Sequence, residues 1–531
     1  MLHIGLSNIR RLKHVAPVEI RPITLLLGRN TSGKSTFLRT IPLLRQSLMT
    51  RTSSPILWYG DLVDIGSFQG AVSDNDTSNP IVFTFKIDRI DTRSRPRYYY
   101  DAISSNTIRR VKDVTYSVSL VIGNEKSQST RISEVRVGIE DELETFRVCA
   151  DERGRITELY LHGNNIINFF KGSKIVIQSG SIFPELFSIQ EADSAGGNVR
   201  RYDDAPIPAQ ELVTLFRPYL DKRIQTERLL AICSQCLSIH SWSAENLRAF
   251  AERTQTKSFI KLIERLTSDV DSPLAVRAKE IYEIGTLLPI INAASSTLQA
   301  LFTNSLYIGP ARAKSERYYR YQDLSVSDID PDGKNFPMFL NSLSASLFDS
   351  FSKWVEKLFN FGVRLRTTQG HISIELTDGA FSTNVVDTGY GVSQILPVLG
   401  QLWWANNRGR QGALRVESSS ILAIEQPELH LHPAHQALLG DALVDALDLN
   451  RHVREEGETR YRTFLVETHS ETLINRMGQL VEQGKISPDL IQILIFEPDE
   501  KQRMTNVSVA NFDTDGTLQN WPYGFFQPAF S

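Results

Sequence analysis

The stretch GRNTSGKS, residues 28–35, decides how this 531-residue chain is read. It fills every fixed place of the pattern G-x-x-x-x-G-K-[ST]. The apolar run ITLLL leads into it and reads as a buried strand. STFLRTIPLLRQSL follows with apolar residues at helical spacing, and Pro42 sits early enough to kink that helix without ending it. A strand that turns through glycines into a helix offers an anion a row of backbone N–H groups and the positive end of the helix dipole. In such a loop a lysine, here Lys34, reaches β/γ-phosphates, and the hydroxyl of Ser35 serves Mg²⁺. The candidate cofactor contacts are Gly28, Asn30, Ser32, Gly33, Lys34, Ser35 and Thr36, and the cofactors expected are ATP and Mg²⁺.

Two later strands supply acids and a histidine. In ILAIEQPELHLHP (421–433) an apolar run ends in Glu425, whose carboxylate can complete a magnesium shell through water. Gln426 follows, where a second acid would activate water. Its amide can orient a water molecule but has no basicity near neutral pH. Glu428, two residues on, would share a side with Gln426 if the tip were extended, and offers a second route to a base. RTFLVETHSE (462–471) is a third strand with a polar tip, where His469 can sense a γ-phosphate. VDTGYGVSQILP (386–397) places Gly389, Gly391 and Ser393 at a helix start, which presents free N–H groups to an anion. The catalytic candidates are thus Gln426, Glu428 and His469, and the metal candidates Ser35 and Glu425. HxHxxH at His430, His432 and His435 reads as a loop more readily than as a metal centre.

Composition sets the frame. Apolar residues make up 41% and charged residues 22%, ordinary for a chain with a large core, and the net charge of −3 argues against bulk attraction to nucleic acid. Local basic islands stand at Arg10, Arg11, Lys13 and His14, at Arg93, Arg95 and Arg97, and at Arg109, Arg110 and Lys112. Cys233 and Cys236 form a CxxC without the second pair of a zinc site, and the count of three cysteines fits a reducing compartment. The first residues lack a signal-peptide core and no uninterrupted apolar run reaches the ~18–20 residues of a span, so a cytoplasmic place is expected. Alternating apolar residues from about 80 to 162 predict antiparallel strands, and a helical period predicts helices over 207–303. The final third alternates strands and helices, which argues for a mostly parallel, helix-covered sheet. The expected layout is an N-terminal lobe at 1–75, a β-region at 76–165, a helical insertion at 166–304 and a C-terminal lobe at 305–531.

In this order the motifs resemble the ABC-type ATPase heads of the SMC, RecF and OLD group. GRNTSGKS looks like Walker A, VDTGYGVSQ a divergent signature without the usual S-G-G run, ILAIEQPE Walker B, ELHLHP the D-loop and ETHS the switch-histidine loop. The resemblance implies an α/β head with a mixed sheet, an antiparallel β-lobe and a helical insertion. It also implies an ATP-sandwich dimer or higher homo-oligomer, in which one chain's signature faces its partner's nucleotide. A closer likeness is to the anti-phage defence ATPases of the PtuA family, from Septu systems and Septu-like retrons. LWYGDLVDIGSFQ, YIGPAR, GYGVSQILP, IEQPELHLHP and the ending NWPYGFFQPAF carry it. That likeness implies a separate HNH endonuclease partner, PtuB-like, and in the retron version a reverse transcriptase with its RNA–DNA product. OLD proteins continue into a TOPRIM nuclease. This chain shows neither that extension before Ser531 nor an HNH-type Cys/His cluster, so a nuclease is expected to act in trans. Because a family head usually carries Glu where Gln426 stands, the hydrolysis expected is slow. The competing expectation is a RecF- or SMC-like DNA-maintenance ATPase that binds DNA itself.

Overall fold

The computed structural model describes residues 2–91, 110–122, 129–140, 142, 144–170, 173–177, 180–190, 201–202, 206–239, 241–322, 325–379, 381–408, 421–447, 453–455, 458–460, 462–499 and 501–521. Arg93, Arg95, Arg97, Arg109 and nearly all of the NWPYGFFQPAF ending lie outside them. The chain forms two compact units. One comprises Gly5–Thr50, Leu57–Asp76 and Ala300–Ser531, the other Met1–Ile4, Arg51–Ile56 and Thr77–Gln299.

The first unit is built on a seven-stranded mixed sheet. Its strands are β1 (Ile23–Gly28), β2 (Leu306–Ile308), β3 (Ile421–Glu425), β4 (Thr463–Glu467), β5 (Ile491–Asp499), β6 (Met504–Phe512) and β7 (Leu518–Gln519). The spatial order is β2-β3-β4-β1-β5-β6-β7. The pairs from β2 through β5 are parallel, and β6 and β7 close one edge antiparallel. Every residue of β1 and β3 is buried, as near-continuous apolar runs require when helices cover both faces of a parallel sheet. Among its helices are α1 (Lys34–Met49), α2 (Tyr390–Asn407), α3 (Pro433–Ala446) and α4 (Glu471–Glu482). Pro42 and Pro397 lie inside α1 and α2, and both helices run on past them. Trp403, Trp404, Phe336, Phe339 and Phe351 join the apolar strand residues in one core. Gly362–Thr368 and His371–Asp378 pair antiparallel as a hairpin.

Parallel pairing makes the strand ends meet on one edge, where ligands of such sheets bind. Glu425 at the end of β3 lies opposite Glu467 at the end of β4, and Glu467 lies opposite Leu26 of β1. Gly28, the first residue of the phosphate-loop motif, lies opposite Phe496 of β5. The sheet therefore delivers the loop and two acids to the same edge.

The second unit begins as an antiparallel meander. Ile81–Asp91, Arg110–Ile122, Thr130–Ile139, Phe146–Ala150, Ile156–Leu161 and Asn164–Asn165 each pair with the next. The segment expected to be helical from 166 carries, after a 3-10 turn at Ile167–Phe170, three more antiparallel strands, Ser173–Ile177, Leu186–Gln190 and Arg201–Tyr202. Helices then run from Pro206–Phe216 to Pro273–Thr303. Cys233 and Cys236 are free and buried in the helical core with Leu229, Phe259 and Ile263, so their spacing reflects packing. Pro273–Thr303 has the length and hydropathy to cross a membrane, but over half of its apolar window is buried within the protein, as in a core helix.

Candidate functional site

The loop between β1 and α1 is shaped by its glycines. A Cβ on Gly28 would lie 2.4 Å from the Phe496 carbonyl oxygen and 2.7 Å from Ser32 Oγ. Gly33 has φ 98°, in the left-handed region, and a Cβ there would lie 2.8 Å from Leu12. Lys34 is buried and folds back on the loop, its ammonium donating to the carbonyls of Gly28 and Arg29, each at 2.9 Å. Burial lowers its pKa, and Glu467 at 4.0 Å opposes that shift. Ser32 Oγ is buried without a hydrogen-bond partner. Asn30 is exposed on the loop, and Thr36 is buried in the first turn of α1. An orphaned hydroxyl, an ammonium hydrogen-bonded to loop carbonyls and glycines with no room for side chains suit a loop that closes on phosphate.

The next turn of α1 meets the two strand-end acids. Ser35 and Arg39 are four residues apart, hence on one helix face. Ser35 Oγ donates to Glu467 Oε1 at 3.0 Å. Arg39 forks onto Glu425, Nε to Oε1 at 2.7 Å and Nη2 to Oε2 at 2.8 Å. The Tyr307 hydroxyl adds a bond to Glu425 Oε1 at 2.8 Å, and Arg312 Nη2 donates to the Glu425 and Gln426 carbonyls at 3.0 and 3.1 Å. Both oxygens of Glu425, the metal candidate read from sequence, are therefore held by protein donors. Glu467 differs. Oε1 meets Ser35, whereas Oε2 is buried without a partner. Burial pushes the Glu467 pKa up, the Ser35 bond pulls it down, and the Glu425 charge raises it further. Burial likewise lowers the Arg312 pKa to about 10, against the pull of Glu428 and Glu425. Neither Glu467 nor Arg39 was a candidate from sequence. The signals were an acid closing a second apolar strand and a cation one helical turn beyond Ser35.

The turn after β3 corrects one expectation. Gln426 has φ 43°, a left-handed conformation, and its N–H donates to the Glu467 carbonyl at 2.8 Å. Residues 427–430 then form a turn, so strand alternation does not place Glu428 beside Gln426. Glu428 is buried, and its Oε1 accepts the His469 backbone N–H at 2.6 Å, tying this turn to the loop after β4. Burial raises its pKa, and its Oε2 has no partner. Gln426 is half-buried and His469 exposed, the His469 pKa lowered by partial desolvation and by the nearby Lys34 ammonium.

At the start of α2, a Cβ on Gly391 would lie 2.5 Å from the His430 carbonyl oxygen, and the rings of Tyr390 and His430 meet at 5.0 Å. Gly389 has φ 96° with open space around it. Ser393 is buried, its Oγ donating to the Tyr390 carbonyl at 2.8 Å, so the hydroxyl turns into its own helix. The three histidines point to separate tasks. His430 meets Tyr390, His432 Nδ1 caps α3 through the Ala434 N–H at 3.3 Å, and His435 lies against Phe359. Among the described residues no group of three His, Cys, Asp or Glu side chains is placed to hold a metal.

The family model of the AAA ATPase domain matches residues 237–474, less than half of the chain. That span holds the strands ending in Glu425 and Glu467 but not the loop at 28–35. No curated protein matches the sequence. Similar solved structures include an Smc head domain with an extended coiled coil, bound to the C-terminal domain of ScpA and derived from Pyrococcus furiosus. It is 11% identical over 96% of this chain and 97% of that one, with a TM-score of 0.31. An SMC head domain from Thermotoga maritima is 8% identical over 95% and 97%, with a TM-score of 0.32.

The Arg39–Glu425 pair makes a direct prediction. Arg39→Met leaves a carboxylate that is 2% exposed without its cation and is expected to cost about 3 kcal/mol in urea unfolding. Arg39→Met with Glu425→Met should recover most of that loss. A single variant within ~0.5 kcal/mol of wild type would contradict it.

Proposed function

We propose that this chain is an ATP-binding, slowly hydrolysing switch of an anti-phage defence system, which controls a separate PtuB-like HNH nuclease in trans. The observation that carries this reading is Gln426. It sits at the end of β3, on the sheet edge that holds the phosphate loop, where a head of the resembling group usually has Glu. Glu428 follows in a turn rather than an extended tip, and its Oε1 is held by the His469 N–H, so Gln426 is taken as the residue that handles water.

The loop residues Gly28, Asn30, Ser32, Gly33, Lys34, Ser35 and Thr36 hold the triphosphate. Lys34 exchanges its bonds to the Gly28 and Arg29 carbonyls for phosphate oxygens, and a buried ammonium gains more from that charge than from carbonyl dipoles. Mg²⁺, when bound at Ser35, would neutralise phosphate charge. Gln426 orients the attacking water by accepting or donating a hydrogen bond but takes no proton, as the glutamine of small GTPases does, where intrinsic turnover is slow. His469 reports the γ-phosphate, and the bond from its backbone N–H to Glu428 carries that report into the turn before α3. Gly389 and Gly391 start the helix that faces a partner chain in an ATP-sandwich dimer. Slow turnover with a persistent ATP-bound dimer suits a timer that licenses an effector. In a Septu-like retron the reverse transcriptase and its RNA–DNA product join that assembly.

Direct DNA binding, the RecF- or SMC-like alternative, draws less support from the described basic residues. Lys13 is paired with Asp74 at 2.8 Å, and Arg10 reaches the Ile65 carbonyl and is partly buried. Binding of the purified chain to DNA in a salt series tests this alternative; a steep salt slope without any partner would favour it.

Two substitutions test the switch. Lys34→Ala should abolish ATP binding in a folded chain, and normal affinity in that variant would sink the nucleotide reading. Gln426→Glu supplies a proton acceptor and should raise single-turnover hydrolysis by about 10- to 100-fold. An unchanged chemical step would place water activation elsewhere. Co-purification with a co-expressed HNH nuclease, lost or gained with ATP, tests the partner.

A further inference from the structure

We propose that Glu467, rather than Glu425, is the carboxylate that completes the Mg²⁺ shell beside Ser35. This rests on reading residues 28–35 as a nucleotide loop and assigns the metal side of that site. The two acids lie in register on adjacent parallel strands, so both reach the strand-end edge. Their partners separate them. Glu425 has Arg39 on both oxygens and Tyr307 on one. A cation at Glu425 would have to displace a bidentate guanidinium, the strongest of the common side-chain grips on a carboxylate. Glu467 shares a hydrogen bond with Ser35, whose hydroxyl the loop motif dedicates to the metal, and its second oxygen is buried with nothing bound to it.

Charge balance points the same way. The described cation nearest Glu467 is Lys34 at 4.0 Å. When Lys34 turns to phosphate, the Glu467 carboxylate is left buried beside Glu425, and a divalent cation restores the balance. Arg39 meanwhile neutralises Glu425 and fixes it as a positioning residue that braces β3 against α1. Glu467 stands two residues before His469, so one short segment holds both the metal-side carboxylate and the phosphate sensor.

The test is a magnesium titration of nucleotide binding. The full chain is mixed with a fluorescent ATP analogue in EDTA, then titrated with MgCl₂, and Mn²⁺ bound to the same complex is counted by EPR. Glu467→Gln should raise the Mg²⁺ midpoint by about 10-fold or more and weaken Mn²⁺ binding to match. Nucleotide affinity in EDTA should not fall. Glu425→Gln should leave the midpoint near wild type. If Glu467→Gln fails to fold, Glu467→Asp keeps the charge, shortens the reach by one methylene and should still raise the midpoint. A wild-type midpoint in the Glu467 variants, or a larger shift in Glu425→Gln, overturns the proposal. A wild-type chain that binds no nucleotide overturns the loop reading itself, a result distinct from a variant that binds nucleotide but is indifferent to Mg²⁺.

Discussion

The site depends on one packing constraint: two acids in register at the ends of neighbouring parallel strands, both buried against the first turns of α1. Like charges this close in a low-dielectric setting repel strongly unless each has its own partner. The helix resolves the conflict with two residues four apart. Arg39 takes Glu425 in a fork, and Ser35 takes one oxygen of Glu467. The second acid is left only half satisfied, next to the loop where phosphate charge would gather. Fold and site thus rest on the same ladder, since the contacts that dock α1 on the sheet also decide which carboxylate remains open to a cation.

Much of this was legible in the chain. The loop at 28–35 needs only local information, because strand, glycines and helix are contiguous and each leaves its own period or composition. The apolar strands ending at Glu425 and near His469 were readable for the same reason, as was the antiparallel alternation from about 80 to 162. The pairings were not. Ser35 meets Glu467 across 432 residues and Arg39 meets Glu425 across 386, and no periodicity reports such distances. Strand order alone put Glu467 beside the loop strand and Glu425 one strand further away. The left-handed conformation at Gln426 was hidden too, because a glutamine gives no local sign of it. That single dihedral turned an expected extended tip into a turn, so strand alternation no longer sets where Glu428 lies relative to Gln426. The strands Ser173–Ile177, Leu186–Gln190 and Arg201–Tyr202 are too short to set a period of their own.

On the proposed reading, the site pairs a complete phosphate-loop motif with an amide that orients water but takes no proton. The bond from the His469 backbone N–H to the buried Glu428 carboxylate ties the loop after β4 to the turn before α3. The proposed switch would need such coupling more than turnover, in keeping with an amide at position 426.

The most direct measurement is a crystal structure of the full chain with a non-hydrolysable ATP analogue and Mn²⁺, read by anomalous scattering. The expected result is phosphate density inside the loop at 28–35 and a manganese peak about 2 Å from Ser35 Oγ, on the Glu467 side, with the Arg39–Glu425 fork intact. A peak against Glu425 with Arg39 displaced, or nucleotide bound with no metal near Ser35, would contradict the account.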